Sequence, residues 1–197
     1  EYVDGSKETY VTDNSWKVTS DGPIRTNNQY DGEEYDARKE MPGWNKVGFN
    51  DNNWLQAEYV QQPLGEYEAQ LNENMKVMQE IKPVSFIDKG NKRIILDMGQ
   101  NMAGWLRIRV KGTEGDKVIL RFAESLTDNK ELNTAPLRDA KVTDMYILKG
   151  AEEEIWEPKF VYHGFRFVEV TGYPGEISLN NFTGCVVYDN IETIGHF

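Results

Sequence analysis

Trp105-Leu106-Arg107-Ile108-Arg109-Val110 is followed, across Gly112-Thr113-Glu114-Gly115-Asp116, by Lys117-Val118-Ile119-Leu120-Arg121-Phe122-Ala123. Leu106, Ile108 and Val110 recur at every second position while Arg107 and Arg109 fill the alternate ones. A period of two places the apolar and charged side chains on opposite faces of a strand. The second run resumes the alternation with Val118, Leu120 and Phe122. Two such runs joined by a Gly-bearing turn predict an antiparallel hairpin with one buried face.

Outward from this hairpin the same grammar continues. Short alternating runs broken by Gly, Asn, Asp and Pro predict strands at 93–98, 143–149, 155–162, 165–171 and 177–188. Helical periodicity is nearly absent. The expected class is therefore all-β, an antiparallel β-sandwich. Val161, Phe165, Phe167, Val168 and Val170 crowd a short stretch with apolar groups on both faces, which places it between two sheets or between a sheet and a neighbouring domain. The polar stretch 124–141 exceeds the usual connection of about 4–6 residues, as functional or docking loops do. A Pro/Gly-bearing link at Gln61-Gln62-Pro63-Leu64-Gly65 marks a junction, dividing the chain into 1–62, 66–190 and a linker 191–197. The first piece is short for a sandwich of about 100 residues and reads as part of a second β-sandwich whose opening strands are absent.

Composition narrows the partners. A net charge of −11 repels phosphate backbones and anionic headgroups, so neither nucleic acid nor membrane is an expected partner. No apolar run approaches the ~20 residues needed to span a bilayer. The 12% aromatic content belongs to a folded chain. One cysteine, Cys185, rules out an intrachain disulfide and reads as a small core thiol. The redox compartment therefore stays open. A periplasmic or extracellular location is favoured and a cytoplasmic one remains allowed.

Three constellations carry possible chemistry. His163, in Tyr162-His163-Gly164-Phe165-Arg166, is either a ligand-orienting group or a structural histidine at a strand turn; the second histidine, His196, stands apart from it. Asp31, Glu33, Glu34, Asp36 and Glu40, interleaved with Tyr30, Tyr35 and Arg38, form the densest acidic cluster. Glu33 and Asp36 are candidates to grip sugar hydroxyls, and Asp31, Glu33 and Asp36 are weak candidates for a calcium ion, against the plainer reading of a solvated strand edge. No other cofactor is expected. In Asp97-Met98-Gly99-Gln100-Asn101-Met102-Ala103-Gly104-Trp105, two glycines bracket the side-chain amides of Gln100 and Asn101 beside the Trp105 indole. That combination suits a sugar site, or else the amides tie down a turn between two strands. Glycoside hydrolysis needs two carboxyl groups facing each other across the scissile bond, and no such pair is legible, so no catalytic residue is assigned.

At these residues the sequence resembles the bacterial α-L-rhamnosidases, a glycoside hydrolase family. Asp97 to Trp105 is similar to that family's D-F-G-Q-N-M-A-G-W stretch, with Met98 where Phe is usual. Thr12-Asp13-Asn14-Ser15-Trp16-Lys17, Gly22-Pro23-Ile24, Tyr30-Asp31-Gly32-Glu33 and Tyr35-Asp36-Ala37-Arg38 look like the end of its N-terminal domain. Arg121-Phe122-Ala123-Glu124, Asp144 to Gly150, Trp156-Glu157-Pro158 and Tyr162 to Val170 look like its concanavalin-like sandwich, in the same order. Asn27-Asn28-Gln29 departs from the pattern, which weakens any carried-over ligand role near Tyr30.

The resemblance implies an accessory β-region that supports an (α/α)6 catalytic barrel in the same parent chain. That barrel would hold the acid and base for inverting hydrolysis of terminal α-L-rhamnose, and the present chain alone would be inactive. The alternative is a carbohydrate-binding module, calcium-dependent in some relatives, with a rhamnose-containing glycan as partner.

Overall fold

The computed structural model describes residues 1–192, 194 and 195, so His196 lies outside the described residues. It divides the chain into two compact units: residues 1–22 with 41–69, and residues 23–40 with 70–197. In the first unit, β1 (Lys17–Val18) pairs antiparallel with β4 (Leu55–Gln56). An ion pair of 2.8 Å joins Lys17 to Asp51, and the rings of Phe49 and Trp54 meet edge to face. No buried apolar side chain of the described residues belongs to this unit, and Tyr10, Trp16 and Trp44 stand exposed on it.

The second unit is one large curled sheet. Its early strands are β2 (Ile24–Asn28) and β3 (Gly32–Asp36), followed after the first unit's β4 by β5 (Met75–Ile81), β6 (Ser85–Asp88), β7 (Arg93–Val110) and β8 (Lys117–Ala123). After the long polar loop come β9 (Thr143–Ile147), β10 (Glu154–Trp156), β11 (His163–Thr171) and β12 (Phe182–Asp189). The strands run β2-β3-β9-β8-β11-β7-β12-β5 across the sheet, with β6 and β10 also paired to β7. The expected hairpin is β7–β8 in sequence, yet β11 lies between the two strands. All pairs in this sheet are antiparallel except β3 with β9, whose parallel register sets Glu34 beside Met145. Strand makes up 40% of the chain and helix 5%, so the fold is all-β.

Alternation builds the core as the sequence predicts. Leu106, Ile108 and Val110 of β7, Val118, Leu120 and Phe122 of β8, and Phe165, Val168 and Val170 of β11 converge with Phe182 of β12 in one cluster. Phe122, Phe165 and Phe182 are fully buried, each contributing roughly 1.5–3 kcal/mol over an exposed ring. In the crowded stretch, Phe165, Val168 and Val170 are buried within this unit, while Phe167 stays half-buried.

Three further readings are corrected. Residues 97–105 are not a turn between two strands: β7 is continuous, and it bulges where Met102 pairs with Phe165 but Asp97 with Phe167. Three extra residues of β7 therefore stand opposite Arg166, which bends the strand. Gly104 lets β7 approach β12, since a Cβ there would lie 2.0 Å from the Cys185 carbonyl oxygen. The strand expected at 155–162 stops at Trp156, and β12 begins only at Phe182. Residues 23–40 pack with the large sheet, because β3 takes β9 as its neighbour.

Candidate carbohydrate site

The parallel pairing of β3 and β9 brings together groups more than 100 positions apart. Gly32 makes the approach feasible, since a Cβ there would lie 2.0 Å from the Thr143 carbonyl oxygen. One residue on, the Glu33 backbone N–H donates to Asp144 Oδ1 at 2.9 Å, and His163 Nε2 meets the same oxygen at 3.1 Å. His163 is buried and stacks on Phe122 with ring centroids 4.4 Å apart. The Glu33 carboxylate accepts from the backbone N–H groups of Lys159 (3.0 and 3.1 Å) and Phe160 (3.2 Å) and from the Asn27 amide (3.0 Å). Burial pushes its pKa above the ordinary carboxylate value, the two backbone donors pull it back, and the Asp144 charge adds to the rise. Chemically, Glu33 is a clamp on the 157–162 loop, and His163 is a packed core group.

The other acidic candidates are also engaged. Asp36 receives the Arg38 guanidinium through two bonds of 2.8 Å and caps the 3₁₀ turn Ala37–Lys39 by accepting from the Arg38 backbone N–H. Those bonds hold its carboxyl below the usual range. Asp31 reaches only Lys141, at 3.4 Å. Among the described residues no three His, Cys, Asp or Glu side chains gather as a metal would require.

In the bulge of β7, Gln100 is exposed, and Asn101 donates to Glu124 at 2.9 Å. The bulge is pinned from below: Arg166 makes two bonds of 2.9 Å to Asp97, which also accepts from the Gly99 N–H at 2.8 Å. Arg166 holds the Asp97 carboxyl below its usual range. Trp105 shares the outward face of β7 with Asn101 but bonds to a different carboxylate. Its indole N–H donates to Glu157 at 2.8 Å, alongside Arg107 at 3.0 Å and the Cys185 thiol at 3.6 Å. Burial alone would raise Glu157, but the donors from Trp105 and Arg107 outweigh it and hold the carboxyl below its ordinary value. Burial pushes the Cys185 thiol up to about 12.

The structure therefore unites Glu33 with His163 through Asp144, while Asn101 and Trp105 bond to different carboxylates, Glu124 and Glu157. Sequence reading missed Asp144, Glu154 and Glu157, the acceptors that organise these networks. Glu154 collects the Tyr146 hydroxyl (2.7 Å) and the N–H groups of Lys149, Gly150 and Ala151. A carboxylate placed where a strand meets a Gly-bearing turn, as in Lys149-Gly150-Ala151 before Glu154, was the available signal.

Known proteins share the architecture of this chain. Residues 87–188 match the model of the bacterial α-L-rhamnosidase concanavalin-like domain, and residues 1–79 that of the α-L-rhamnosidase N-terminal domain. An α-L-rhamnosidase of Streptomyces avermitilis is 41% identical over 189 residues, covering 95% of this chain and 18% of that protein. One from Formosa agariphila is 37% identical, covering 98% of this chain and 21% of that protein. Among solved structures, the α-L-rhamnosidase of Dictyoglumus thermophilum superposes with a TM-score of 0.92 at 40% identity, over 98% of this chain and 22% of that one. The Streptomyces avermitilis enzyme, solved with L-rhamnose, gives 0.91 at 41% identity, over 96% of this chain and 18% of that one. The chain spans about a fifth of the length of these relatives. It belongs to the bacterial α-L-rhamnosidase family, and carries the N-terminal and concanavalin-like regions of such a protein.

Proposed function

We propose that this chain is the non-catalytic β-region of an α-L-rhamnosidase, and that it supports an (α/α)6 barrel in which the parent protein hydrolyses terminal α-L-rhamnose. The observation that carries the reading is the disproportion of coverage: nearly all of this chain, but about a fifth of each relative, is shared. The fate of the buried carboxylates supports it. Glu33 and Glu154 are spent on backbone N–H groups, and Asp97 and Glu157 on Arg166 and Arg107, whereas a glycosidase acid and base must face open substrate.

A supporting role also needs a surface, and the rim of the sheet supplies one. β5 and β6 each pair with a single strand, and they carry the exposed Met75, Val77 and Phe86, with Val84 just before β6. Uncovered apolar groups on a strand with unpaired backbone groups suit a neighbouring domain. The test compares this chain with the full-length parent. A chromogenic α-L-rhamnoside should be hydrolysed by the parent and not by the chain, and backbone amides of β5 and β6 should exchange more slowly in the parent. Turnover by the chain alone, or equal exchange in both, would defeat the reading.

A further inference from the structure

Three buried titratable groups meet where β3, β9 and β11 come together: Glu33 is 1% exposed, Asp144 0% and His163 4%. Their charges do not balance. Two carboxyl groups share the site with one imidazole, while the cationic side chains on the neighbouring elements, Arg25 of β2, Arg121 of β8, Lys141 before β9 and Lys159 of the 157–162 loop, are all exposed. Phe122 of β8 stacks on the imidazole and Gly104 of β7 pairs opposite it, so these two strands bring apolar cover to it. At the rim, Asp31 bonds to Lys141 and the Tyr35 hydroxyl to Glu40. Donors are short as well. Asp144 Oδ1 takes the Glu33 N–H and the imidazole, but Asp144 Oδ2, equally buried, has no hydrogen-bond partner among the described residues. Buried negative charge with too few donors and too little opposing charge is unfavourable, and each proton that enters the cluster relieves it.

One surface segment depends on the state of this cluster. The 157–162 loop carries Phe160 and Tyr162, exposed to 71% and 38%, and its Lys159 and Phe160 N–H groups end on the Glu33 carboxylate. A second tie runs from the Gln29 amide to the Tyr162 carbonyl at 3.1 Å. Lifting the loop would admit water to Glu33, and an ionised carboxylate gains far more from hydration than a neutral one. Opening therefore favours the charged cluster, and closure the protonated one.

We propose that Glu33, Asp144 and His163 form a proton-operated latch: with a proton taken up, the cluster holds the 157–162 loop closed on β3, and loss of that proton as pH rises frees the loop. Groups in such contact titrate as a unit, so the transition belongs to the cluster rather than to one side chain. Burial and the Asp144 charge, which push the Glu33 carboxyl above its ordinary value, act in the same direction. A carboxyl raised in this way contributes its stability in full below its solvated value of about 4.3 and loses it as pH rises through the folded value. Asp36, Asp97 and Glu157 are shifted the other way, so acid that weakens the sheet tightens the loop. The latch needs no neighbouring domain, and its failure would leave the supporting role untouched.

Amide hydrogen exchange of the full chain, followed by NMR from about pH 4.5 to about pH 8 and corrected for the intrinsic rate at each pH, reads the latch directly. One linked proton changes an opening equilibrium by up to about tenfold per pH unit, so protection at Lys159 and Phe160 should fall at least about fivefold over this range while amides of β7 and β8 keep theirs. The Glu33 carboxyl carbon, labelled with ¹³C, should titrate over the same interval and above the exposed glutamates. Glu33→Gln, which stays neutral throughout, should remove most of the change with pH; if that variant does not fold, the unmutated amides and carboxyl signal decide by themselves. Flat protection, protection that rises with pH, an equal change in β7 and β8, a Glu33 signal that titrates with the exposed glutamates, or a folded Glu33→Gln protein with the full pH dependence would overturn the proposal.

Discussion

Burial holds the Cys185 thiol at about 12, so it is protonated near neutrality and sealed from solvent. Native protein should resist alkylation by iodoacetamide at pH 8 and react only once urea unfolds it, which mass spectrometry reads directly; rapid native labelling would mean that β12 opens. On the facing strand, Gly104→Ala would drive a methyl into the Cys185 carbonyl, and a loss of at least ~3 kcal/mol in urea unfolding is expected. Asp97 carries a pH signature. Arg166 depresses its folded-state pKa, so its contribution is present above the ordinary Asp value near 3.9 and is lost as pH falls through the lower folded value. Asp36 and Glu157 act in the same sense. Acid unfolding should therefore steepen below about pH 4, and Asp97→Asn should flatten the profile at a cost of up to ~1 kcal/mol at neutrality.

At the scale of elements, the turn between β9 and β10 depends on one carboxylate. Glu154→Ala would strand the Tyr146 hydroxyl and three backbone N–H groups, and about 2–4 kcal/mol should be lost in a urea titration. Glu154→Gln, which keeps acceptor capacity on one oxygen only, should fall between that variant and the parent sequence. This element also shows what sequence could tell. Strands with one wet and one dry face, such as β8 and the second half of β7, are written as alternation and were readable. β2 and β3 were not, because β2 lies at the sheet's edge with only Ile24 partly covered, and β3 buries Glu33 where a pattern reader expects an apolar residue. The bulge in β7 was hidden for another reason. Two glycines and two amides look like a turn, and only the pairing with β11 shows that the strand continues through them.

For the molecule as a whole, residue types in the candidate site were legible and their company was not. Glu33 finds its donors at Lys159 and Phe160, and its backbone finds Asp144, separations that no local spacing encodes. The two units also differ in substance. The second has a continuous apolar core, while the first has exposed Trp16, Trp44 and Leu55 and, among the described residues, the short β1–β4 pair as its sheet. Hydrogen exchange should follow that contrast, with amides of residues 1–22 and 41–69 exchanging at least tenfold faster than those of β7 and β11. Equal protection in the two units would show that the first is held by more than its own contacts.

The hairpin of β2 and β3 is encoded between two stretches that fold together as the other unit. No single cut in the gene can therefore release either unit whole. Severing near residue 66 would strip two strands from the large sheet and leave them attached to the wrong piece. For anyone grafting this module, or tracing how it was inherited, the indivisible cassette is the interleaved pair.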